Sequence, residues 1–479
     1  MTHCLVIDPG TGSTRVALVS PDGEMTGFRS FENVYHSDDL YPDAQYFLPE
    51  EWEKEIFSCC EALKAEFPDI KVDAVTAAGA RQSFVLLDKE GKAFYALPNI
   101  DNRGRDYMDE IPGHQRLYEL SGKWVTEDFL AGKLYGLKKL RPELYGKISK
   151  VVSQDGWICS LFTGRTYMEP SQAGETQLID AENKCWSREI CDIYGIDMSI
   201  LPPMIPAGSV LGRLLPEMAE LVNGGEGAVF VAGGADTQSA ILQTGIKSGD
   251  IAVVSGTTSP VVALSDGKVT DPKQQVWVDI NFGWDGFITE MNPGVTGLNY
   301  QRARALLCPD MEYGELERLY SEKTSFNCTA SFSSLLFYER KSLRHGGFFM
   351  RSPLDFAVDR VDMMYAVLAD TACAIYEQLW RLREITGHKK DYILCCGGGF
   401  RSETLCRMLA DLSGLEVRLK PGYDQATVRG LARLCARALG DPDTGTAEAD
   451  SVGAVYRPRD KQLIHSYYPV WLENRNRNL

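Results

Sequence analysis

The sequence predicts an α/β protein made of two related halves that face each other across a cleft, and three observations predict it. First, an apolar run at residues 4–7 enters the turn Asp8-Pro9-Gly10-Thr11-Gly12-Ser13-Thr14-Arg15, and a second run at 16–19 leaves it, the pattern of strand, tight turn and returning strand. Second, the pattern returns in the other half of the chain, where residues 251–254 enter Ser255-Gly256-Thr257-Thr258-Ser259 and 261–264 leave it, which reads as an internal duplication. Third, two more apolar strands end in Gly233-Gly234-Ala235-Asp236 and in Gly397-Gly398-Gly399 followed by Ser402. Facing halves would bring all four loops to one cleft, where open α/β folds bind ligands.

In chain order, Pro21-Asp22-Gly23 turns into a third strand, and residues 30–50 read as a surface excursion. Trp52, Ile56, Cys60 and Leu63 share one face of a helix over 50–66 that Pro68 closes. A strand over 72–78 runs into Arg81-Gln82-Ser83, another over 84–87 follows, and the stretch from Pro98 to Asp106 is dense in polar groups. The spacing predicts helix over 115–149, a short strand at 151–153, and a Pro- and Gly-rich connector over 192–214. The strand at 228–231 feeds a short helix that Gly245 ends. Residues 282–297 read as strands and glycine turns, and a long helix is expected over 359–383, with Met363, Val367, Ala374 and Leu382 on its apolar face. Ser402 can cap a helix that Gly414 ends, and a last helix is expected over 424–439. The charged and aromatic stretch 457–479 reads as a docked tail.

Composition excludes some classes. The chain has 479 residues, 44% hydrophobic and 24% charged, the balance of an ordinary globular protein with room for two domains. A net charge of −16 argues against generic affinity for nucleic acid or anionic membranes. The amino terminus has no basic region before its apolar run, so no signal peptide is expected, and no apolar stretch reaches the ~18–20 residues of a membrane helix. The 13 cysteines are scattered without a C-x-x-C pair, which fits reduced thiols in a cytoplasmic protein.

This ordered set of motifs resembles the FGGY carbohydrate kinases, within the superfamily shared by actin, hexokinase and the Hsp70 ATPase. The turn with Asp8, Gly10, Thr11, Ser13 and Arg15 is similar to the family's first phosphate loop, and Ser255-Gly256-Thr257-Thr258 to its second. Gly397-Gly398-Gly399, with Ala410-Asp411 and Gly414 further on, looks like the adenosine loop, and Gly233-Gly234-Ala235-Asp236 like the catalytic-base motif. Asp101 and Arg103 match a sugar-side motif in which Asn99 replaces a tryptophan. The segments Arg81-Gln82, Asn99–Arg103 (99–103) and 169–176 look more like the autoinducer-2 kinase branch than like xylulokinases. Two departures stand out: Gln425 replaces a family glutamate, and 338–341 keeps only a relic of another segment.

The resemblance implies two actin-like (ribonuclease H-like) domains around a central ATP/sugar cleft: residues 1–245 carrying most sugar contacts, 246–440 holding adenosine, and 441–479 a tail. It implies an ATP-dependent kinase phosphorylating a small sugar or polyol, with autoinducer-2 kinase-like activity as the specific expectation and a xylulokinase or other pentulose or polyol kinase as the alternative. Asp236 would be the general base, in contact with substrate, and would hold Mg²⁺ together with Asp8. Gly10, Thr11, Gly12, Ser13, Arg15, Gly256, Thr257, Thr258, Gly398, Gly399 and Ser402 would bind ATP. Arg81, Gln82, Asn99, Asp101 and Arg103 would bind substrate. Sugar kinases of this type are often dimers, which leaves a homodimer open, but the sequence itself does not read out an oligomeric state.

Each residue also has a plainer reading. Asp236 could be a helix cap, Asp8 a hairpin carboxylate, Ser13 and Thr258 turn-stabilising hydroxyls, the glycines close-packing positions, and the arginine segment a surface salt-bridge cluster. A non-phosphorylating actin-like ATPase or a sugar-binding module would share the scaffold. Neither needs the base at Asp236.

Overall fold

The computed structural model describes residues 3–21, 23–282, 286–343, 345–354, 357–440, 453–460 and 462–477. Asp22 of the predicted turn, 283–285 of the predicted strand region, and 441–452, 461 and 478–479 of the predicted tail lie outside them.

Two large sheets share one plan. The six-stranded sheet runs in the order Val210–Arg213, Gly224–Ala235, Val72–Gly79, Cys4–Pro9, Ser13–Val19, Met25–Glu32. The seven-stranded sheet runs Ala454–Tyr456, Glu416–Leu419, Tyr392–Cys396, Ile251–Val254, Val261–Ser265, Phe287–Met291, Trp277–Ile280. In each, a hairpin and a third antiparallel strand lead to two parallel strands and then an antiparallel edge strand. The strand Trp277–Ile280 is an addition beyond this shared plan. The repeated hairpin signature is therefore the local sign of a duplicated topology.

Period-two alternation explains why the central strands are apolar throughout. Leu5 and Ile7 enter the core under the helix Pro49–Glu66, while Cys4 and Val6 point to the opposite core. That opposite core is filled by a helix from the other half of the chain: Val428, Leu431 and Cys435 of Ala426–Ala438 pack on Cys4, Val6, Ala74 and Val231. The exchange is reciprocal, because Ile241 of Asp236–Thr244 packs on Ala252, Val262, Ile288 and Leu394 of the second sheet. The two exchanged helices cross at Gly430, where a Cβ would lie 2.0 Å from the Ser239 carbonyl.

Several elements differ from the sequence expectation. The stretch 115–149 is not one helix but His114–Ser121, Leu130–Leu140 and Pro142–Tyr145. The first ends at Gly122 in the left-handed region (φ 76°), packed so tightly on Val278 that a Cβ would lie 2.8 Å away. This break carries residues 123–129 into contact with the second lobe. The connector 192–214 contains the edge strand Val210–Arg213, and the stretch read as a tail supplies Ala454–Tyr456 to the second sheet and the helix Leu463–Asn476, whose Trp471 is buried against the long helix Arg360–Thr386. That long helix starts as expected, with Asp359 and Asp362 forming a capping box. All 13 cysteines are free and only Cys185 is exposed. Among the described residues no helix is long and apolar enough to cross a membrane.

Candidate active site

The hairpin turns and strand ends meet between the lobes at a cavity of ≈ 570 Å³. Its walls include Asp8, Gly10, Thr11 and Arg15 from the opening hairpin, Gly256, Thr257 and Thr258 from its counterpart, Gly397 and Gly398, and Asp236.

The opening turn is closed by the Gly10 N–H donating to the Ser13 carbonyl at 3.0 Å. It is braced from the segment just after the third strand: Asn33 Nδ2 donates to the Gly10 carbonyl and the Tyr35 hydroxyl to the Thr11 carbonyl, each at 2.7 Å. Asn99 Nδ2 donates to Thr11 Oγ1 at 2.8 Å, tying this turn to the substrate-side loop. Gly12 and Ser13 sit exposed at the hairpin tip and are not part of the cavity wall. Asp8 is nearly enclosed, and burial raises its pKa, opposed by Arg15, whose Nη2 lies 3.9 Å away.

In the second turn the Gly256 N–H donates to the Thr258 carbonyl at 2.9 Å. Beneath it a buried hydroxyl chain links Ser255, Ser259 and Thr296 at 3.1 and 2.8 Å. The third loop packs on this turn. Gly397 has φ 99°, and a Cβ there would lie 2.4 Å from the Ser255 carbonyl; at Gly399 it would lie 2.1 Å from Ser255 Oγ. Gly399 is thus a packing position, whereas Gly398 faces open space and lines the cavity. Ser402 is also corrected: its Oγ caps the helix Glu403–Ser413 by accepting the Leu405 N–H at 3.1 Å and donates to Glu317 at 2.5 Å, away from the cavity wall.

Asp236 is the first residue of its helix rather than its cap, and its Oδ1 accepts the adjacent Thr237 N–H at 2.7 Å. Burial pushes its pKa up to about 6; the Arg81 guanidinium pulls it down and the Asp8 charge pushes it up. The strand that delivers it is held by the 169–176 segment: the Ala235 N–H donates to Ser171 Oγ at 3.2 Å, and Ser171 in turn donates to Glu169. Burial raises Glu169 to about 8. Gln172 Nε2 donates to the Gly79 carbonyl at 2.8 Å, fixing the strand end that precedes Arg81.

Of the expected substrate residues, Arg81, Gln82 and Asn99 line the cavity. Gln82 holds a positive φ of 63° and its carbonyl accepts Lys133 Nζ at 2.6 Å. Asp101 and Arg103 do not line it, which corrects that expectation. Both are fully buried and pair with each other: Arg103 Nε donates to Asp101 Oδ2 at 2.7 Å, Asp101 Oδ1 accepts the Gln45 N–H at 3.0 Å, and Arg103 Nη2 donates to the Gln45 carbonyl and the Tyr95 hydroxyl, while Arg103 Nη1 has no hydrogen-bond partner among the described residues. They fasten the loop to the 45–46 strand.

Beyond Gly256, Thr257, Thr258 and Gly398, the second lobe and the 123–129 break contribute cavity residues to which the sequence reading gave no site role. Trp277, Asn292 and Phe337 line the cavity with Asp128 from the first lobe, and Asp424, Gln425 and Thr427 lie at the wall that Gly398 shares. Buried ions cross between lobes beside them. Arg81 forks onto Glu290 at 2.5 and 3.0 Å, and Lys123 meets Asp279 at 2.7 Å and Glu175 at 3.6 Å. Burial raises Asp279 to about 7, opposed by Lys123. No local spacing marks these residues, which come from separate stretches of both halves.

The donor set fits a polyphosphate and a hard cation. Gly256 and Gly398 leave open space where a Cβ would stand, so a ligand can approach the backbone. Asp8 and Asp236 offer two carboxylates to one wall, and no cluster of three or more metal-ligating side chains occurs among the described residues. A pair of this kind suits Mg²⁺ shared with phosphate and water rather than a cage made by protein alone.

Comparison with known proteins places this architecture. The N-terminal domain of the FGGY family of carbohydrate kinases matches residues 3–243 and its C-terminal domain residues 332–439. YoaC of Bacillus subtilis (strain 168), which carries a provisional sugar-kinase name, is 36% identical over 469 residues, covering 98% of this chain and 95% of the relative. The autoinducer-2 kinase of Salmonella typhimurium (strain LT2) is 25% identical over 459 residues, covering 91% and 86%. The fold is shared with the ligand-bound xylulose kinase of Lactobacillus acidophilus and the ADP complex of Plasmodium falciparum glycerol kinase, each with TM-score 0.83 at 18% identity, covering 100% of this chain and 98% of the other. By class the protein is an ATP-dependent sugar kinase. The chain belongs to the FGGY family of carbohydrate kinases.

Proposed function

We propose that Asp236 is the general base of phosphoryl transfer from ATP to a hydroxyl of a small sugar or sugar-like substrate bound against Arg81, Gln82 and Asn99. The observation that carries this reading is the placement of Asp236, with a pKa of about 6, in the same cavity wall as both hydroxyl-rich turns. A base poised just below neutral pH is ionised when needed and still able to take a proton.

Phosphoryl transfer asks a protein mainly for positioning and charge neutralisation. Thr11, Thr257 and Thr258 and the open backbone at Gly256 would hold phosphate oxygens, with Arg15 at the rim. Gly398 and the 424–427 wall would receive the nucleoside. Asp236 accepts the proton as the substrate oxygen bonds to the γ-phosphorus and the bond to the β,γ-bridging oxygen breaks, releasing ADP. Mg²⁺ held near Asp8 and Asp236 would neutralise the charge that develops on the phosphate oxygens. Burial of the Arg81–Glu290 contact beside the base would keep water from competing for the phosphoryl group.

For the substrate, the autoinducer-2 precursor is the first candidate. Its support is the 169–176 segment, which braces the base from behind, together with the Arg81-Gln82 and Asn99 wall and the identity shared with autoinducer-2 kinases along most of the chain. Ketopentoses and polyols are the second. A cytoplasmic location is supported by 13 free cysteines, only one of them exposed. The test is sugar-dependent ADP formation across pentuloses, deoxyhexuloses, polyols and the autoinducer-2 precursor. Turnover confined to one of these names the substrate; no sugar dependence with any of them removes the proposal.

A further inference from the structure

An ammonium taken from water into a protein interior costs free energy unless its donors are engaged. Lys133, on the helix Leu130–Leu140, is fully buried. Its Nζ donates to two main-chain oxygens, the carbonyls of Gln82 and Pro98, each at 2.6 Å. Those carbonyls belong to the two segments that carry Arg81, Gln82 and Asn99 into the cavity wall, whereas Lys133 itself is not part of that wall.

The two segments form the open end of one hairpin. Strands Phe84–Leu87 and Ala93–Leu97 run antiparallel with Phe84 opposite Leu97, so 81–83 enters and 98–101 leaves at the same edge. The Asn99 N–H donates to Ser83 Oγ at 2.9 Å, and the Pro98 carbonyl also accepts the Asp101 N–H at 3.1 Å, which folds the turn that presents Asn99. Gln82 holds a positive φ of 63°, a conformation that a residue with a side chain keeps only when its surroundings impose it. The Lys133 ammonium supplies that constraint and joins both segments at one point. Burial lowers the Lys133 pKa to about 8; Asp101 and Asp128 favour the charge, Arg103 opposes it and Glu175 favours it.

We propose that Lys133 is a positioning residue for the kinase: from behind the cavity wall it holds the Gln82 and Pro98 carbonyls together and so sets the spacing of Arg81, Gln82 and Asn99 around the sugar. The inference rests on the kinase reading above for where the sugar lies. Loss of the charge loosens both segments at once, because a neutral amine bonds carbonyls more weakly than an ammonium does. Sugar affinity is therefore full below about pH 8, where Lys133 is charged, and declines as pH rises through that value. This alkaline limb is separate from the acidic one that Asp236 sets.

The test follows sugar and ATP separately across pH on the full-length enzyme, with pentuloses, deoxyhexuloses and polyols as the sugars. Binding is read by calorimetry and ADP formation by a coupled assay. For wild type, Kd and KM for sugar are expected to rise about 10-fold between about pH 7 and about pH 9.5, the scale of a charge-assisted hydrogen bond lost, while KM for ATP stays within about 2-fold. Lys133→Met keeps the length and removes the donors, so sugar KM should be raised about 10-fold already at neutral pH, with no alkaline limb. Lys133→Arg keeps a charge that pH cannot remove in this range, so the limb should vanish while sugar KM at neutral pH stays closer to wild type than that of Lys133→Met. A purely structural lysine would lower the melting temperature and leave the sugar KM of the folded enzyme, and its pH dependence, untouched. An unchanged sugar KM in Lys133→Met, or a limb that persists in it, overturns the inference while leaving the kinase reading in place. Where a variant fails to fold, the wild-type profile decides: a sugar affinity that is flat across this range overturns the inference. Sugar bound with the expected limb but never phosphorylated would support the inference and overturn the kinase reading. Binding of no sugar at any pH overturns both.

Discussion

Glu290, on the second lobe, accepts both terminal nitrogens of Arg81, on the first, at 2.5 and 3.0 Å, within a few ångströms of the buried carboxylate of Glu175. This fork closes the cavity from the side of the base. Removing one partner of a buried ion pair costs ~3–5 kcal/mol because the other is left uncompensated. Glu290→Gln should therefore favour opening of the cleft. Small-angle scattering of the unliganded variant should give a larger radius of gyration than wild type, with a raised KM for sugar. An unchanged radius and KM would contradict the role of the pair in closure.

The base should announce itself in the pH profile. With Asp236 at about 6, kcat/KM should rise with pH through an inflection near that value, because the ionised form is the competent one and it dominates above the pKa. The Arg81 guanidinium holds the value down, so Arg81→Gln should move the acidic limb to higher pH as well as weaken substrate binding. A limb that stays in place, or moves to lower pH, would show that a different group controls it.

The two glycines of the third loop should separate by function. Gly398 faces open cavity, so Gly398→Ala should fold normally and raise KM for ATP. Gly399 would drive a Cβ to 2.1 Å from Ser255 Oγ, so Gly399→Ala should lower the melting temperature, on the scale of ~1–3 kcal/mol for an overpacked site. The opposite pattern would exchange their roles.

Asp101 should behave as a structural residue. Asp101→Asn leaves Arg103 buried beside a neutral partner, and a loss of ~3–5 kcal/mol in stability is expected. KM measured on the folded fraction should hardly move. A raised KM with unchanged melting would return Asp101 to the substrate pocket.

The comparison of sequence with structure has a physical pattern. Both hairpins and the strand-to-glycine loops were legible because their signals are local: four apolar residues, then glycines and hydroxyls. The long helix carried its own cap at Asp359. Within the polar run at 98–106, Asn99 reaches the cavity as expected but Asp101 and Arg103 do not, because charge density says nothing about whether Gln45 and Tyr95 will engage that charge inside the protein. The edge strand Ala454–Tyr456 is too short to announce itself and gains its meaning only from pairing with Glu416–Leu419. Asp128, Trp277 and Glu290 were invisible because the cavity joins stretches far apart in sequence. The break at Gly122 that delivers Asp128 is fixed by a contact with Val278 in the other lobe.

The most direct measurement of the central claim is single-turnover phosphorylation by Asp236→Asn, with sugar and nucleotide binding measured on the same preparation. The substitution keeps the size of the side chain and removes the base. The account predicts a fall in the rate of phosphoryl transfer of about 10²–10⁴-fold, the usual contribution of a general base, with sugar binding and melting temperature close to wild type. Sugar-dependent phosphoryl transfer that survives the substitution would contradict it.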